Sequence, residues 1–115
     1  MKKILIASLM VAMGSAAYAA NEDTALVAGA NPIAVAGCSL LQNAVSINIS
    51  AANIGNVDCD TTTANIGVAV ANTSGKGKIF SIGSNGGALI TTDSAAPVPT
   101  AAETVTESQA RAATT

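Results

Sequence analysis

The chain contains no histidine and no tryptophan among its 115 residues. Histidine is the commonest general base in enzymes, and it completes the Ser-His and Cys-His pairs that activate nucleophiles. No other residue in the sequence stands beside a partner that would activate it. We therefore expect a protein that is not an enzyme, with no catalytic residue, no cofactor and no metal ion.

Aromatic side chains are almost absent, since Tyr18 and Phe80 are the only two. A core of this chain has to be built from Ile, Val, Leu and Ala, without the large buried area that aromatic rings supply. Charged residues make up only 10% of the sequence. Little bulk and little charge are typical of a thin β-sheet domain held together by small apolar residues.

The N-terminus has the form of an export signal. Two lysines precede a ten-residue apolar run, Ile4–Met13, which is too short to span a membrane. The small residues Ala17 and Ala19 then form the pattern that signal peptidase recognises, so cleavage is expected before Ala20. We predict a signal peptide over residues 1–19 and an exported bacterial protein, periplasmic or extracellular, with no stable membrane insertion after cleavage.

Removal of the signal peptide leaves three basic residues against seven acidic ones, a net charge of −4. Binding to a nucleic-acid backbone depends on clustered Lys and Arg that displace counterions. The remaining cations, Lys76, Lys78 and Arg111, are too few for such a patch. We predict no nucleic-acid partner.

The two cysteines, Cys38 and Cys59, predict one disulfide bond. Cysteine pairs in exported proteins are usually oxidised, whereas redox catalysis needs a CxxC pair and a metal site needs more ligands. A second possibility is lipidation, because Val35-Ala36-Gly37-Cys38 has the form of a bacterial lipoprotein cleavage box. Its apolar stretch is interrupted by Asn31-Pro32 and does not follow the positive start directly, so the bridge is favoured.

Alternating apolar and polar residues indicate the strands. The alternation is clearest in two windows, residues 43–50 and 66–71, where one face of each strand is apolar. The apolar positions of these candidate assembly strands are Val45, Ile47, Ile49, Ile66, Val68 and Val70. Ile33–Ala36 adds a short extended segment, and residues 78–82 and 88–92 flank a glycine-rich turn that predicts a hairpin.

Residues 20–93 are therefore predicted to form one all-β domain, a small antiparallel sheet or sandwich of about five to six short strands with one disulfide. Residues 94–115 differ, because Val98 and Val105 are their only large apolar residues and two prolines interrupt them. Such a segment buries too little to offset the entropy of ordering it. We predict a flexible tail, with a short helix over Thr100–Ala112 as the alternative.

The tetrapeptide Ala-Asn-Ile-Gly occurs twice, at residues 52–55 and 64–67. A solenoid would continue the twelve-residue period, but the residues one period before and after do not match. Asn and Gly tolerate bends and irregular strand geometry. Both copies are therefore predicted to lie where the chain changes direction or pleat.

One short motif resembles a phosphatase signature. Asp58 and Asp60 stand in the order D-x-D-x-T, but that chemistry needs a longer chain and downstream cations. The same oxygens suggest Ca²⁺, yet the glycine and distal glutamate of a calcium hand are missing. Residues 72–78 are rich in Gly and Lys without the spacing of a phosphate-binding loop. We interpret the two aspartates as solvated acids and residues 72–78 as a turn.

The two alternating windows indicate self-association. They are β-branched, uncharged and free of proline, which is typical of segments that pair edge to edge, although the buried strands of any small β domain share that pattern. Our hypothesis is an exported, non-enzymatic structural protein that assembles with itself or another exported protein into a surface, matrix or fibre. The alternative is a small periplasmic module that binds a ligand or partner protein on one sheet face.

Overall fold

The computed structural model describes residues 21–114, which form a five-stranded sheet, a two-stranded sheet and one α-helix. The predicted signal peptide and its cleavage residues Ala17, Ala19 and Ala20 lie outside the described residues. The strands are β1 (Asn21–Leu26), β2 (Gly29–Ile33), β3 (Val45–Ile49), β4 (Asn53–Asp60), β5 (Asn65–Asn72), β6 (Lys78–Gly83) and β7 (Ile90–Asp93), and helix α1 is Ala101–Ala112.

The all-β prediction is confirmed, with seven strands in place of about five to six. The larger sheet has the order β1-β4-β5-β6-β7 and the smaller one pairs β2 with β3. All neighbouring strands are antiparallel, and β6 and β7 form the hairpin predicted from the glycine-rich turn. The additional strands are β1, which is mostly polar, and β4, which carries buried polar residues, so neither shows clear alternation of apolar and polar residues.

The extended segment predicted over Ile33–Ala36 is wrong, because the strand lies earlier in the chain. β2 ends at Ile33, and Val35–Gly37 form a single 3-10 turn. The side chain of Asn31 accepts a hydrogen bond from the amide of Val27 and donates one to its carbonyl oxygen. These bonds hold the sharp link between β1 and β2.

The main core lies between the two sheets. It is centred on Leu26, Ile33 and Val57 and on the disulfide between Cys38 and Cys59, all buried. The bridge joins residues 21 positions apart, with their Cα atoms 5.5 Å from each other. This confirms the predicted bond, and it engages the Cys38 sulfur that a lipid would require.

Helix α1 is present where a flexible tail was the first expectation, and it matches the alternative of a short helix. It begins with a capping box: the Thr100 hydroxyl accepts from the Glu103 amide, and the Glu103 carboxylate accepts from the Thr100 amide. The same carboxylate accepts from the Ala95 amide and the Ser94 hydroxyl. These bonds, led by the one from the Thr100 amide, lower the pKa of Glu103 to about 2.

The C-terminal end of α1 is held by side chains from the loops of the larger sheet. The Thr63 hydroxyl donates to the carbonyl oxygen of Ala112 at 2.7 Å. The amides of Asn65 and Asn85 both donate to the carbonyl oxygen of Thr114. At the other end the Glu103 carboxylate binds Ser94 and Ala95, directly after β7, so both ends of α1 are tied to segments next to the sheet.

The contact between α1 and the sheet is made by small residues. Thr104, Ser108 and Ala112, spaced four residues apart, are the buried positions of the helix. They pack on β5, where Ala69 is fully buried and Gly67 has no side chain. A Cβ built on Gly67 would lie 2.7 Å from the backbone nitrogen of Ala112. The two backbones therefore approach too closely for any side chain at this position.

The repeated tetrapeptide marks two equivalent junctions between a turn and a strand. Its asparagines are the first residues of β4 and β5, so the predicted change of direction is found at both copies. The residue that adopts the unusual conformation is the alanine, since Ala52 has φ of 61° and Ala64 has φ of 57°. This left-handed region is unfavourable for any residue with a Cβ.

Replacing Ala64 with glycine should therefore stabilise the protein. Glycine removes the strain of the left-handed conformation, but it also gives the unfolded chain more conformational freedom. The free energy of unfolding should therefore rise by about 0.5–1 kcal/mol. Thermal unfolding monitored by circular dichroism measures the change. Ala102→Gly, at an exposed position of α1, is the matched control, and it should lower the free energy of unfolding by about 1 kcal/mol. A lower melting temperature for Ala64→Gly would contradict the assigned conformation.

Candidate functional site

The face of the five-stranded sheet that lies opposite α1 is only partly covered. The two-stranded sheet and its connecting loop pack over Leu26 and Val57, on β1 and β4. Farther along the same face, Phe80 and Ile82 of β6 remain 41% and 43% exposed, and Val70 of β5 is half-buried. A chain with so few large apolar residues thus leaves several of them in contact with water.

A groove of about 280 Å³ lies between the end of β3 and this uncovered face. Its lining residues are Asn48, Ile49, Ser50, Asn53, Val70, Ala71, Asn72 and Phe80. None of these side chains is charged. The groove therefore combines an apolar surface with amide and hydroxyl groups, which suits a neutral polypeptide or another uncharged partner better than an ionic ligand.

The polar side of the groove is held by a chain of hydrogen bonds. The Asn53 amide donates to the Ser50 hydroxyl at 2.6 Å, and the Asn72 amide donates to the Asn53 side-chain oxygen at 2.9 Å. The Asn72 oxygen in turn accepts from the backbone amide of Ser74. Asn53 and Asn72 are direct cross-strand partners, so the register of β4 and β5 places their side chains together.

β3 is the least protected edge among the described strands. It pairs only with β2, so one side of its backbone has no strand neighbour within residues 21–114. Charged residues and prolines normally discourage pairing at such edges. β1 carries Glu22 and Asp23, β2 carries Pro32, and β7 carries Asp93. β3 has neither a charge nor a proline.

The structure separates the candidate assembly residues into three environments. Ile47, Ile49, Ile66 and Val68 pack against the core between the two sheets. Val70 lines the groove, and Val45 is 43% exposed at the start of β3. β5 is paired on both sides, with β4 and β6. Of the two windows, only the one in β3 therefore presents a free backbone edge.

The interpretation of Asp58 and Asp60 as solvated acids is wrong, because both are buried. The Asp60 carboxylate accepts hydrogen bonds from the amides of Thr62 and Thr63 and so caps the turn between β4 and β5. Asp58, two residues earlier on the same face of β4, lies beneath α1. Within residues 21–114 no group of three or more potential metal ligands is assembled.

Asp58 is an unusual residue in this fold. Its side chain is fully buried, and neither carboxylate oxygen accepts a hydrogen bond from a donor among the described residues. It lies directly opposite Asp23, its cross-strand partner on β1. Burial first, then the negative charge of Asp23 and a hydrogen bond that the protonated Asp58 carboxyl makes to Asp23, raise the pKa of Asp58 from 3.8 to about 7. This carboxyl therefore titrates near neutrality rather than in acid.

Sequence reasoning missed the groove because its parts come from distant segments. The signals that were available are Asn53 and Asn72 at strand ends and Phe80 as the only aromatic residue outside the predicted signal peptide. Nothing in their spacing shows that β3 covers only part of the larger sheet.

The chain matches no family model, no curated protein and no solved structure. Within residues 21–114 no helix is both long enough and apolar enough to cross a membrane. The disulfide is compatible with an exported protein, because such bonds persist in oxidising compartments.

Proposed function

We propose that the chain is an exported, non-enzymatic structural protein that assembles by adding a strand of another molecule to the free edge of β3. The partner is a second copy of this chain or another exported protein. The observation that carries the proposal is the position of β3, an uncharged edge strand beside the uncovered apolar surface of β5 and β6.

An added strand would have two favourable effects at this position. Its backbone would satisfy amide and carbonyl groups along the open side of β3. Its side chains would cover Val70 and Phe80, and each large apolar side chain removed from water contributes about 1.5–3 kcal/mol when it is fully buried. The absence of charge in the groove lining means that no ion has to be desolvated.

Sedimentation of the oxidised, processed chain over a range of concentrations tests the proposal. Ser46→Lys and Asn48→Lys place a charge on exposed positions of β3 and are expected to reduce assembly by tenfold or more, because about 1.4 kcal/mol of lost pairing energy corresponds to that factor. Thr106→Lys on the exposed face of α1 adds the same charge elsewhere and serves as the control.

The test compares the assembly of the two β3 variants with the assembly of Thr106→Lys. The control should assemble like the unmodified chain, which separates an effect at β3 from an effect of net charge. A chain that stays monomeric at high concentration, or variants of β3 that assemble normally, would refute the role of this edge. Cross-β diffraction from the assembled material would support strand addition.

The alternative is a small binding module that holds a ligand or partner protein in the groove. The groove itself favours this function, since it joins the exposed ring of Phe80 to the ordered amides of Asn53 and Asn72. A stable monomer whose groove amides shift in nuclear magnetic resonance spectra when an exported partner protein is added would support this alternative over assembly.

A further inference from the structure

Helix α1 is fixed to the larger sheet by a polar network that includes acidic groups. The Asp23 carboxylate accepts hydrogen bonds from the Asn56 amide at 2.8 Å and from the Gln109 amide at 2.9 Å. The Asn56 amide also donates to the Ser108 hydroxyl at 2.8 Å. These bonds join β1, β4 and the second half of α1, with both carboxylate oxygens of Asp23 as acceptors.

Asp58 lies between the same sheet and helix but takes part in none of these hydrogen bonds. Its cross-strand partners are Asp23 on β1 and Gly67 on β5, and Gly67 is the position against which Ser108 and Ala112 pack. The carboxyl of Asp58 is thus enclosed by the sheet and the helix. An ionised carboxylate in such a place has lost its hydration without gaining donors, which is strongly unfavourable.

The charged groups around Asp58 do not compensate its ionisation. Asp23 and Glu22 on β1 and Asp60 on β4 all carry negative charge and all oppose it. β5 contributes no charged residue on this face, where its buried positions are Gly67, Ala69 and Ala71. No basic residue forms an ion pair with Asp58 in the part of the chain that the structure describes.

The charged residues in the second half of α1 lie toward β6 and β7. Glu107 accepts hydrogen bonds from Ser81 and Thr92, on β6 and β7. The backbone of Arg111 lies against Gly83 of β6, and its Nε is buried without a hydrogen-bond partner among the described residues. The helix thus brings Ser108 and Gln109, both neutral, to the side of the sheet that holds Asp58 and Asp23.

We propose that the contact between α1 and the sheet around Asp58 is a pH-sensitive latch, closed while Asp58 keeps its proton and loosened when the carboxyl ionises. Loosening means that the second half of the helix, Ser108–Ala112, separates from the sheet often enough to let Asp58 reach water. This device would control access to the second face of the larger sheet, where Ala69, Ala71 and Ile79 are now covered.

The direction of the effect follows from linkage. The closed state retains a proton up to about pH 7, whereas an exposed aspartate loses it near 3.8. Between these values each unit of pH raises the equilibrium constant for opening by up to about tenfold. Above about pH 7 this constant does not change further. The capping box does not interfere in this window, since Glu103 has a pKa of about 2 and stays ionised throughout.

Amide hydrogen exchange of the oxidised chain at about pH 5, 6, 7 and 8 tests the latch. After correction for intrinsic exchange rates, the protection factors of Ser108–Ala112 should fall by about tenfold or more between pH 5 and 7, and then level off. Asp58→Asn, a neutral variant of the same shape, should keep the protection independent of pH. Asp93→Asn, at the far edge of the sheet, should leave the pH dependence as it is.

A second variant keeps the test decisive if Asp58→Asn does not fold. Asp23→Asn removes the opposing charge and one of the two acceptor oxygens that bind Asn56 and Gln109. Protection should therefore be lower at every pH, and the pH at which it begins to level off should move lower, because the burial of Asp58 remains. A direct titration of the Asp58 carboxyl carbon by nuclear magnetic resonance should show the same shift. Protection that does not change between pH 5 and 7, or a pH dependence that survives in Asp58→Asn, would overturn the latch.

Discussion

Gly67→Ala is expected to be one of the two most damaging single substitutions in the domain, lowering stability by roughly 3 kcal/mol. The new Cβ would meet the backbone nitrogen of Ala112 at 2.7 Å and would lie still closer to the carbonyl oxygen of Ser108. Both atoms belong to the last two turns of α1, whose C-terminal end is held by Thr63, Asn65 and Asn85, so they have little freedom to move aside. Helix α1 would have to lift from β5.

Two measurements check this expectation. The melting temperature should fall by more than about 10 °C, since each kcal/mol corresponds to about 4–8 °C in a domain of this size. Hydrogen exchange should show that the loss is concentrated in α1. Gly37→Ala is the control, because its Cβ would meet only the Thr24 hydroxyl at 3.6 Å; it should change stability by less than about 0.5 kcal/mol. An unchanged melting temperature for Gly67→Ala would mean that α1 does not pack against β5 as described.

Cys59→Ser should lower the free energy of unfolding by about 3 kcal/mol. This is the loop-closure entropy that a bridge between residues 21 positions apart removes from the unfolded chain. The bond ties the loop after β2 to the middle of the larger sheet, and both half-cystines are buried in the main core. For a small domain whose total stability is about 5–15 kcal/mol, this is a large fraction. Thermal unfolding of the variant against the oxidised parent measures it.

Reduction provides the control for the disulfide. The parent protein with its bond reduced should approach the melting temperature of the variant, and Cys38→Ser combined with Cys59→Ser should cost little more than either change alone. A reductant should have no effect on that double variant. If the oxidised parent and Cys59→Ser melt together, the bridge contributes nothing to the stability of the fold.

The sequence predicted the bridge and several strands for clear physical reasons. Only two cysteines are present, so one pairing is possible. The windows around Ile47 and Val68 alternate because one face of each strand lies toward the core between the sheets. The glycine-rich turn before β7 likewise predicted the hairpin, since a tight reversal needs residues that accept unusual backbone angles.

Helix α1 was predicted only as the alternative to a flexible tail, and strand β4 was missed, because their buried positions are not large and apolar. The helix packs through Thr104, Ser108 and Ala112. These residues are small or polar, so a count of large apolar residues does not predict that the segment is ordered. One local signal was available: Thr100 and Glu103 have the spacing of a capping box. In β4, the burial of Asn56 and Asp58 depends on partners and neighbours that are distant in the sequence.

The candidate site was even less predictable than the fold. The window in β3 was correctly identified as a strand, but as a candidate for edge pairing the sequence gives the same weight to the window in β5. Only the strand order shows that β5 is central and β3 is free on one side. The groove beside Phe80 depends on how much of the larger sheet the smaller one covers.

The sequence by itself determined local conformation and covalent linkage: which segments are extended, where the chain can turn, and which sulfur atoms can pair. Those properties depend on neighbouring residues and on the number of cysteines. The tertiary structure decided which strand has a free edge, why Gly67 must lack a side chain, and how Asp58 came to be buried beside Asp23. These are consequences of contacts between distant segments, since burial and backbone approach exist only after the sheets and the helix have packed together.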